Sequence, residues 1–171
     1  INEPTSYVLS DGKSPKELGS IVDNSALLTK LNTDKFGTKE LFTLKTENGT
    51  DLNAYIIKPK DFDPKKKYPV LMYQYSGPGS QEVNNSWMSM NDQWHFMLAQ
   101  NGYLVVCVDG RGTGGKGANF KKQTYMDLGK LEVEDQILAA KALAKFDYID
   151  TNRIGIWGWS YGGYMSSNAL F

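Results

Sequence analysis

The chain has 171 residues, enough for one domain, and its 40% hydrophobic and 22% charged content is that of an ordinary globular protein. Its 19 basic residues balance 19 acidic ones, which argues against a broad basic surface for nucleic acid or anionic lipid. No apolar run approaches the roughly 20 residues that span a membrane, and the single cysteine excludes an internal disulfide.

The first 36 residues carry only weak structural signals. They hold a short strand-like piece, an Asp11-Gly12 turn and a loose apolar pattern that suits a linker with a short helix. We do not expect this segment to form a core of its own. From residue 37 the pattern sharpens: "ELFTLKT" and "DLNAYIIKP", joined by "ENG", predict a β-hairpin because Asn-Gly favours the required turn.

Buried strands and amphipathic helices alternate after this hairpin. The apolar runs "YPVLMYQY", "YLVVCVD" and "RIGIWGW" predict three buried strands. Residues 86–100, with Met90 on the apolar face, and residues 131–146 have helical spacing, and Asn101-Gly102 is a helix stop. Strands that alternate with helices predict an α/β fold with a mostly parallel sheet, here with the hairpin at its N-terminal side.

The strongest chemical motif is Gly158-Trp159-Ser160-Tyr161-Gly162, which fits G-x-S-x-G between an apolar strand and a helix start. In such a nucleophile elbow the serine takes strained dihedrals, and the glycines avoid collisions with the neighbouring strand and helix. The N–H of Tyr161, at the positive end of the new helix, would then point at a developing oxyanion. The alternative is a tight strand-to-helix turn with an incidental serine.

Acyl transfer at such a serine needs a second oxyanion donor, which this fold takes from the loop after an earlier strand. The segment "YQYSGPGS" lacks the HGGG sequence of lipases but offers the hydroxyls of Tyr73 and Tyr75. Strand alternation places both on one face, so geometry alone does not choose between them. Tyr75 is nearer the carboxyl edge of the sheet, where Ser160 is expected, and the alternative for it is a packed aromatic.

The other polar motifs are expected to be structural. "DGRGTGGKG" matches neither glycine pattern of nucleotide-binding loops, so we expect local hydrogen bonds to fix Arg111. Glu132, Glu134 and Asp135 come early in a helix, where they suit the macrodipole. His95, the only histidine, precedes the serine instead of following it, so we expect a surface or packing role rather than that of a triad base. No metal site or cofactor is predicted.

Four segments of the sequence, "YQYSGPGS", "DGRGTGGKG", "LGKLEVEDQI" and "GWSYGGYM", resemble the catalytic domain of the prolyl oligopeptidase family of serine peptidases. Within the family they are most similar to the dipeptidyl peptidase IV branch, and to its bacterial members in particular. The resemblance covers about residues 38–171 and implies an α/β-hydrolase fold, of which residues 37–171 would form the N-terminal part. Residues 1–36 resemble the end of the family's β-propeller and the passage into the hydrolase domain.

The resemblance implies a role for each matching residue. Ser160 would be the nucleophile, Tyr75 the oxyanion tyrosine of a Tyr-x-Gly-Pro stretch, and Tyr161 the backbone oxyanion donor, with its ring lining the pocket before the cut bond. Family members need no cofactor and cleave after proline or sometimes alanine, and many release N-terminal dipeptides whose amine is held by paired glutamates of the propeller. The implied partner is a peptide with proline or alanine at its second position. A homodimeric complete enzyme and a periplasmic or cell-surface location are implied as well.

The sequence departs from the family after the nucleophile. The chain continues for eleven residues beyond Ser160, without the Asp and the His of the triad. We therefore expect part of a larger enzyme, inactive by itself because the base is missing, with an unfinished sheet edge that favours self-association. The alternatives are another enzyme of the family (a tripeptidyl or acylaminoacyl peptidase, or an oligopeptidase) and a non-catalytic interaction module, which would be expected to lose the serine or distort the elbow.

Overall fold

The computed structural model describes residues 1–33, 36–87 and 91–171. Strands and helices alternate over most of the chain, and a short 3₁₀ turn at residues 122–124 follows the third helix. In chain order the elements are β1 (Tyr7–Ser10), β2 (Glu17–Val22), α1 (Ser25–Thr33), β3 (Thr38–Lys45), β4 (Asp51–Lys58), β5 (Tyr68–Tyr73), α2 (Asp92–Gln100), β6 (Leu104–Asp109), α3 (Gly117–Lys121), α4 (Leu131–Leu143), β7 (Ile149–Trp157) and α5 (Tyr161–Leu170).

The N-terminal strands β1 and β2 pair antiparallel as a two-stranded sheet of their own. Both are exposed along their whole length, and α1 buries none of its residues. The expected turn and short helix are present, but the structure has two strands where the sequence predicted one. Little apolar surface is buried here, so these elements add little to the core. The assignment of residues 1–36 to the end of a propeller stays a prediction.

The predicted hairpin is confirmed as β3 and β4, which pair antiparallel from Thr38 opposite Lys58 to Lys45 opposite Asp51. Gly49 in the connecting turn has a φ of 84° and donates its N–H to the carbonyl of Thr46 at 3.0 Å. A positive φ suits glycine because it has no Cβ to collide with the backbone. The Asn-Gly signal in the sequence was therefore sufficient to locate this turn.

The main sheet of the described chain has five strands in the order β3-β4-β6-β5-β7. β5 pairs parallel with β6 and β7, whereas β4 pairs antiparallel with β3 and β6, so the sheet is mixed. This confirms the α/β class and the N-terminal hairpin. Tyr73 on β5 pairs with Cys107 on β6 and with Trp157 on β7. The three parallel strands therefore end at the same edge, where the loops that follow them meet.

Helices cover both faces of the central strands. On β6, Leu104, Val106 and Val108 belong to the apolar cluster that includes α4, whereas Val105 and Cys107 belong to the cluster that includes α2. Every residue of β6 is buried. A strand that is covered on both faces reads as a continuous apolar run, which is the pattern that predicted it.

β7 differs from the buried strand that the sequence predicted. It lies at one edge of the described sheet, where it pairs with β5, and Ile149 is its one buried residue. Ile154 and Ile156 are half-buried and pack against the α4-side cluster. The prediction of a strand is confirmed and its full burial is wrong, because an apolar run does not reveal which strand is central and which lies at an edge.

The helices fall within the predicted ranges. α2 occupies the second half of residues 86–100; Met90, predicted on its apolar face, lies outside the described residues. α4 fills most of residues 131–146. None of the helices in the described ranges is long and apolar enough to cross a membrane. In the same ranges, no three His, Cys, Asp or Glu side chains are grouped closely enough to hold a metal ion.

Candidate active site

Ser160 occupies the junction between β7, which ends at Trp157, and α5, which begins at Tyr161. Its φ is 55° and its ψ is −116°, a backbone conformation that residues with a Cβ rarely adopt. The side chain is exposed. The structure therefore has the strained, solvent-facing serine geometry that G-x-S-x-G predicted between a strand and a helix.

The two glycines of this motif are required by the close approach of β5 to the start of α5. A Cβ on Gly158 would lie 2.4 Å from the carbonyl oxygen of Gln74, and a Cβ on Gly162 would lie 2.4 Å from the same atom. Contacts this short between a carbon and an oxygen are repulsive. Any larger residue at either position would have to push α5 away from the end of β5, and Ser160 lies between these two glycines.

Gln74 connects the start of α5 to the sheet through hydrogen bonds. This role was not predicted from the sequence. Its side chain is fully buried, and its Nε2 donates to the carbonyl of Gly162 at 2.6 Å and to the hydroxyl of Ser166 at 3.0 Å. Its backbone N–H donates to the carbonyl of Trp157 at 3.2 Å. One residue thus joins β5, β7 and α5. The available signal was a polar residue inside an otherwise apolar run between two tyrosines.

The structure separates the two tyrosines that the sequence left equivalent. Tyr73 is buried, and its hydroxyl donates to Glu82 Oε2 at 3.0 Å and accepts from Asn91 Nδ2 at 3.1 Å. Tyr75 lies beyond the end of β5, and its ring centroid is 6.3 Å from that of Tyr161. Strand alternation does not relate the two side chains, because β5 ends at Tyr73 and Tyr75 lies in the loop beyond it.

Tyr161 is the first residue of α5, and its phenol is tied to another helix. The hydroxyl donates to Glu132 Oε1 at 2.8 Å, and Glu132 Oε2 accepts the N–H of Gly129 at 3.0 Å. Partial burial and the carboxylate of Glu132 raise the pKa of Tyr161, so the phenol stays protonated around neutral pH. Its ring also packs edge-on against Tyr164, with centroids 5.7 Å apart. Tyr161 therefore lies beside Ser160, and its ring is restrained by the hydrogen bond to Glu132 and by packing against Tyr164.

The chain is similar to known proteins in both sequence and structure. Residues 88–171 match the sequence model of the prolyl oligopeptidase family. The crystal structure of dipeptidyl peptidase 4 from Porphyromonas gingivalis is similar over 99% of this chain and 24% of its own length, with 48% sequence identity and a TM-score of 0.91.

Over residues 88–171 the chain therefore resembles the prolyl oligopeptidase family.

Dipeptidyl peptidase 4 proteins from fungi are also similar to this chain. Dipeptidyl peptidase 4 of Trichophyton equinum is 41% identical over 170 residues, which are 99% of this chain and 22% of that protein. Dipeptidyl peptidase 4 of Arthroderma otae is 38% identical over 165 residues, which are 96% of this chain and 21% of that protein. The chain thus spans about a fifth of the length of the curated relatives it matches.

The three acidic residues lie in the first turns of α4, as the sequence predicted, but two of them are buried, which it did not predict. Glu132 and Asp135 are fully buried, whereas Glu134 is exposed. Asp135 accepts hydrogen bonds from Arg111, with Nη2 at 2.6 Å, Nε at 2.9 Å and the backbone N–H at 2.6 Å. Hydrogen bonds fix Arg111, as expected, but their acceptor lies 24 residues away on α4 and is not local to the glycine-rich loop. The spacing of three residues between Glu132 and Asp135 places them on one helix face, a signal that could have shown their shared burial.

His95 is enclosed by aromatic side chains. Its ring is fully buried, with centroids 5.0 Å from Tyr73 and 5.7 Å from Trp157, and its Nδ1 lies 3.8 Å from Asp92 Oδ1. In the described part of the chain neither ring nitrogen makes a hydrogen bond. The packing role expected for His95 is confirmed, in the interior rather than at the surface.

Asp109, at the end of β6, fixes the loop that follows Tyr75. Its carboxylate is buried and accepts the N–H of Val83 at 2.8 Å and that of Glu82 at 3.1 Å. Burial raises the pKa of Asp109 to about 6, and these two N–H donors oppose the shift. This contact could not be predicted from the sequence, where Asp109 is only a polar residue at the end of an apolar run.

Proposed function

We propose that the chain forms part of the catalytic domain of a serine exopeptidase that releases N-terminal X-Pro or X-Ala dipeptides from peptides. The match to the prolyl oligopeptidase family over residues 88–171 and the names of the relatives support the reaction class. The observation that carries the proposal is the backbone of Ser160, an exposed serine with a φ of 55° between β7 and α5. An interaction module would have no need of that strain, since non-glycine residues with positive φ persist only where surrounding contacts hold them.

In this proposal Ser160 Oγ attacks the carbonyl carbon of the second substrate residue, and its proton passes to the general base of the complete enzyme and from there to the leaving amine. A new C–O bond gives a tetrahedral intermediate, the C–N bond to the leaving peptide then breaks, and water later hydrolyses the acyl-enzyme. The backbone N–H of Tyr161 would donate to the oxyanion, because the first N–H groups of a helix have no partner within it. The hydroxyl of Tyr75 would be the second donor, and its ring already lies beside that of Tyr161.

The ring of Tyr161 would line the pocket for the residue before the cut bond. Proline is rigid and has no backbone N–H to satisfy, so a flat apolar wall suits it. The hydroxyl of Tyr161 points to Glu132, which leaves the face of the ring for contact with the substrate. Alanine would fill the same space less completely, which accounts for a weaker preference.

The general base would come from elsewhere in the complete enzyme, so we expect the isolated chain to have no useful peptidase activity. His95 is the only histidine of the chain, and it is fully buried in an aromatic cluster. A base must reach the serine proton directly or through one water, and an enclosed imidazole is not available for that transfer.

The complete enzyme is expected to be a homodimer by its family resemblance. The edge of β7 is expected to favour self-association of the isolated chain, and a monodisperse monomer in light scattering would contradict this.

The proposal is tested in the full-length protein that carries this chain, with hydrolysis of Gly-Pro-p-nitroanilide and labelling by a fluorophosphonate probe. Ser160→Ala should lower turnover by at least about 10⁴-fold and abolish labelling. Ser167→Ala, an exposed serine on the same helix, is the matched control and should keep both activities. Labelling that persists in Ser160→Ala would refute the assignment, and turnover by the isolated chain would refute the missing base.

A further inference from the structure

Glu132 is a fully buried carboxylate that connects two helices. It is the second residue of α4, and each of its oxygens accepts one hydrogen bond. Oε2 accepts from the N–H of Gly129, three residues earlier, at 3.0 Å, and Oε1 accepts from the phenol of Tyr161, 29 residues later, at 2.8 Å. The first bond closes the start of α4, and the second reaches the first residue of α5.

Capping of α4 alone does not explain this burial. An acidic residue in the first turn of a helix interacts favourably with the macrodipole while it remains in water, as Glu134 does with its side chain 46% exposed. Removing a carboxylate from water is costly unless hydrogen bonds replace its hydration. Glu132 is removed from water completely, and its second oxygen is directed to the residue beside Ser160 instead of to the helix that it begins.

We propose that Glu132 is a positioning residue that fixes the ring of Tyr161 and, with it, the first turn of α5. This inference rests on the proposed function, in which the ring of Tyr161 lines the substrate pocket and its N–H donates to the oxyanion. A tyrosine ring has two side-chain torsions, and a hydrogen bond at the phenol end restricts both. Because Tyr161 directly follows Ser160, the same bond also fixes the peptide unit that carries the oxyanion donor.

The expected consequence is a change in selectivity as well as in rate. A pocket wall held in one orientation can distinguish the ring of proline from the methyl group of alanine, whereas a wall free to rotate accepts both less selectively. The ratio of kcat/KM for Gly-Pro-p-nitroanilide to that for Gly-Ala-p-nitroanilide therefore reports on the orientation of Tyr161. A residue that only stabilised α4 would lower the melting temperature without altering this ratio.

The first test is Glu132→Gln in the full-length protein. Glutamine keeps the shape but replaces the charged acceptor with a neutral amide, and a charge-assisted hydrogen bond is about twice as strong as a neutral one. We expect kcat/KM for the proline substrate to fall about fivefold to tenfold and the proline-to-alanine ratio to fall at least about threefold. Glu134→Gln, the exposed acidic residue two positions later, is the matched control and should change neither.

The second test is a double-mutant cycle with Tyr161→Phe, which removes the same bond from its other end. If Glu132 acts through Tyr161, then Glu132→Gln should have almost no further effect on the selectivity ratio in the Tyr161→Phe background. Additive effects, or an unchanged ratio in Glu132→Gln, would overturn the positioning role. Should Glu132→Gln fail to fold, Tyr161→Phe alone decides: a lowered ratio supports the inference and a wild-type ratio overturns it. A wild-type protein without activity on either substrate would refute the proposed function itself.

Discussion

The substitution Gly162→Ala tests whether the close contact between β5 and α5 determines the position of the nucleophile. Gly162 lies in the first turn of α5, and a Cβ built on it would lie 2.4 Å from the carbonyl oxygen of Gln74 and 3.2 Å from the Cα of Tyr75. Both neighbours are backbone atoms, so no side-chain rotation relieves the collision. A carbon–oxygen contact needs about 3.3 Å, so the helix and the strand end must separate by about 1 Å.

The magnitude follows from two opposing effects. In a helix interior, alanine is favoured over glycine by about 0.8–1 kcal/mol. Overpacking of a tight contact costs about 1–3 kcal/mol. Gly163 is a matched control because it is the next residue of the same helix, and a Cβ there would lie 3.4 Å from the carbonyl oxygen of Gly158, an almost relaxed contact. The helix preference is common to both variants, so their difference isolates the collision: we expect Gly162→Ala to be less stable than Gly163→Ala by about 1–3 kcal/mol.

Urea denaturation of both variants of the chain, followed by circular dichroism, measures this difference. In the full-length protein the rate of fluorophosphonate labelling at Ser160 provides an independent measure, since a helix displaced by about 1 Å moves the serine with it. Gly162→Ala should label more slowly and Gly163→Ala at close to the wild-type rate. Equal stability and equal labelling in the two variants would refute the argument that close backbone packing requires this glycine.

Three further predictions follow from buried polar groups and from the candidate oxyanion donor. Burial raises the pKa of Asp109 to about 6, so the protonated form is favoured in the folded chain and stability falls as pH rises from about 4 to about 7. Relative to the wild type, Asp109→Asn should therefore gain up to about 3 kcal/mol of unfolding free energy over this range in urea titrations, and parallel curves would contradict it. Arg111→Met leaves the buried carboxylate of Asp135 without its ion-pair partner and should cost about 3 kcal/mol of unfolding free energy; a loss well under 1 kcal/mol would argue against a structural role for the pair. In the full-length protein, Tyr75→Phe should lower kcat by about 10²–10³-fold with little change in KM, whereas Tyr73→Phe should chiefly lower the melting temperature; equal losses of kcat in both would contradict the assignment.

The features that the sequence predicted well are those with local causes. The hairpin turn depends on Gly49, and the elbow depends on a serine and two glycines within five residues. The apolar runs located β5, β6 and β7, and the continuous run of β6 reflects its burial between helices on both faces. In each case the deciding residues lie next to one another in the chain, so their spacing alone carries the information.

The features that the sequence did not predict depend on contacts between distant segments. Gln74 bonds to Gly162, 88 residues later, and Glu132 bonds to Tyr161, 29 residues later. Neither partner can be chosen until the order of the strands and the rotation of α4 about its axis are known. The difference between Tyr73 and Tyr75 has a similar origin: alternation applies only within a strand, and β5 ends at Tyr73, two residues before Tyr75.

The local and the distant features have different physical roles at the same site. The glycines of the elbow make the strained conformation of Ser160 sterically possible, but they form no contact that maintains it. A residue with positive φ costs about 1–3 kcal/mol relative to relaxed backbone, so other contacts must hold it there. In the structure the restraint comes from Gln74 at the end of β5 and from Glu132 at the start of α4, which bond to the first two residues of α5. Both are fully buried, so their hydrogen bonds meet no competition from water. A variant that keeps the G-x-S-x-G sequence but loses Gln74 and Glu132 should therefore no longer hold Ser160 in its strained backbone conformation.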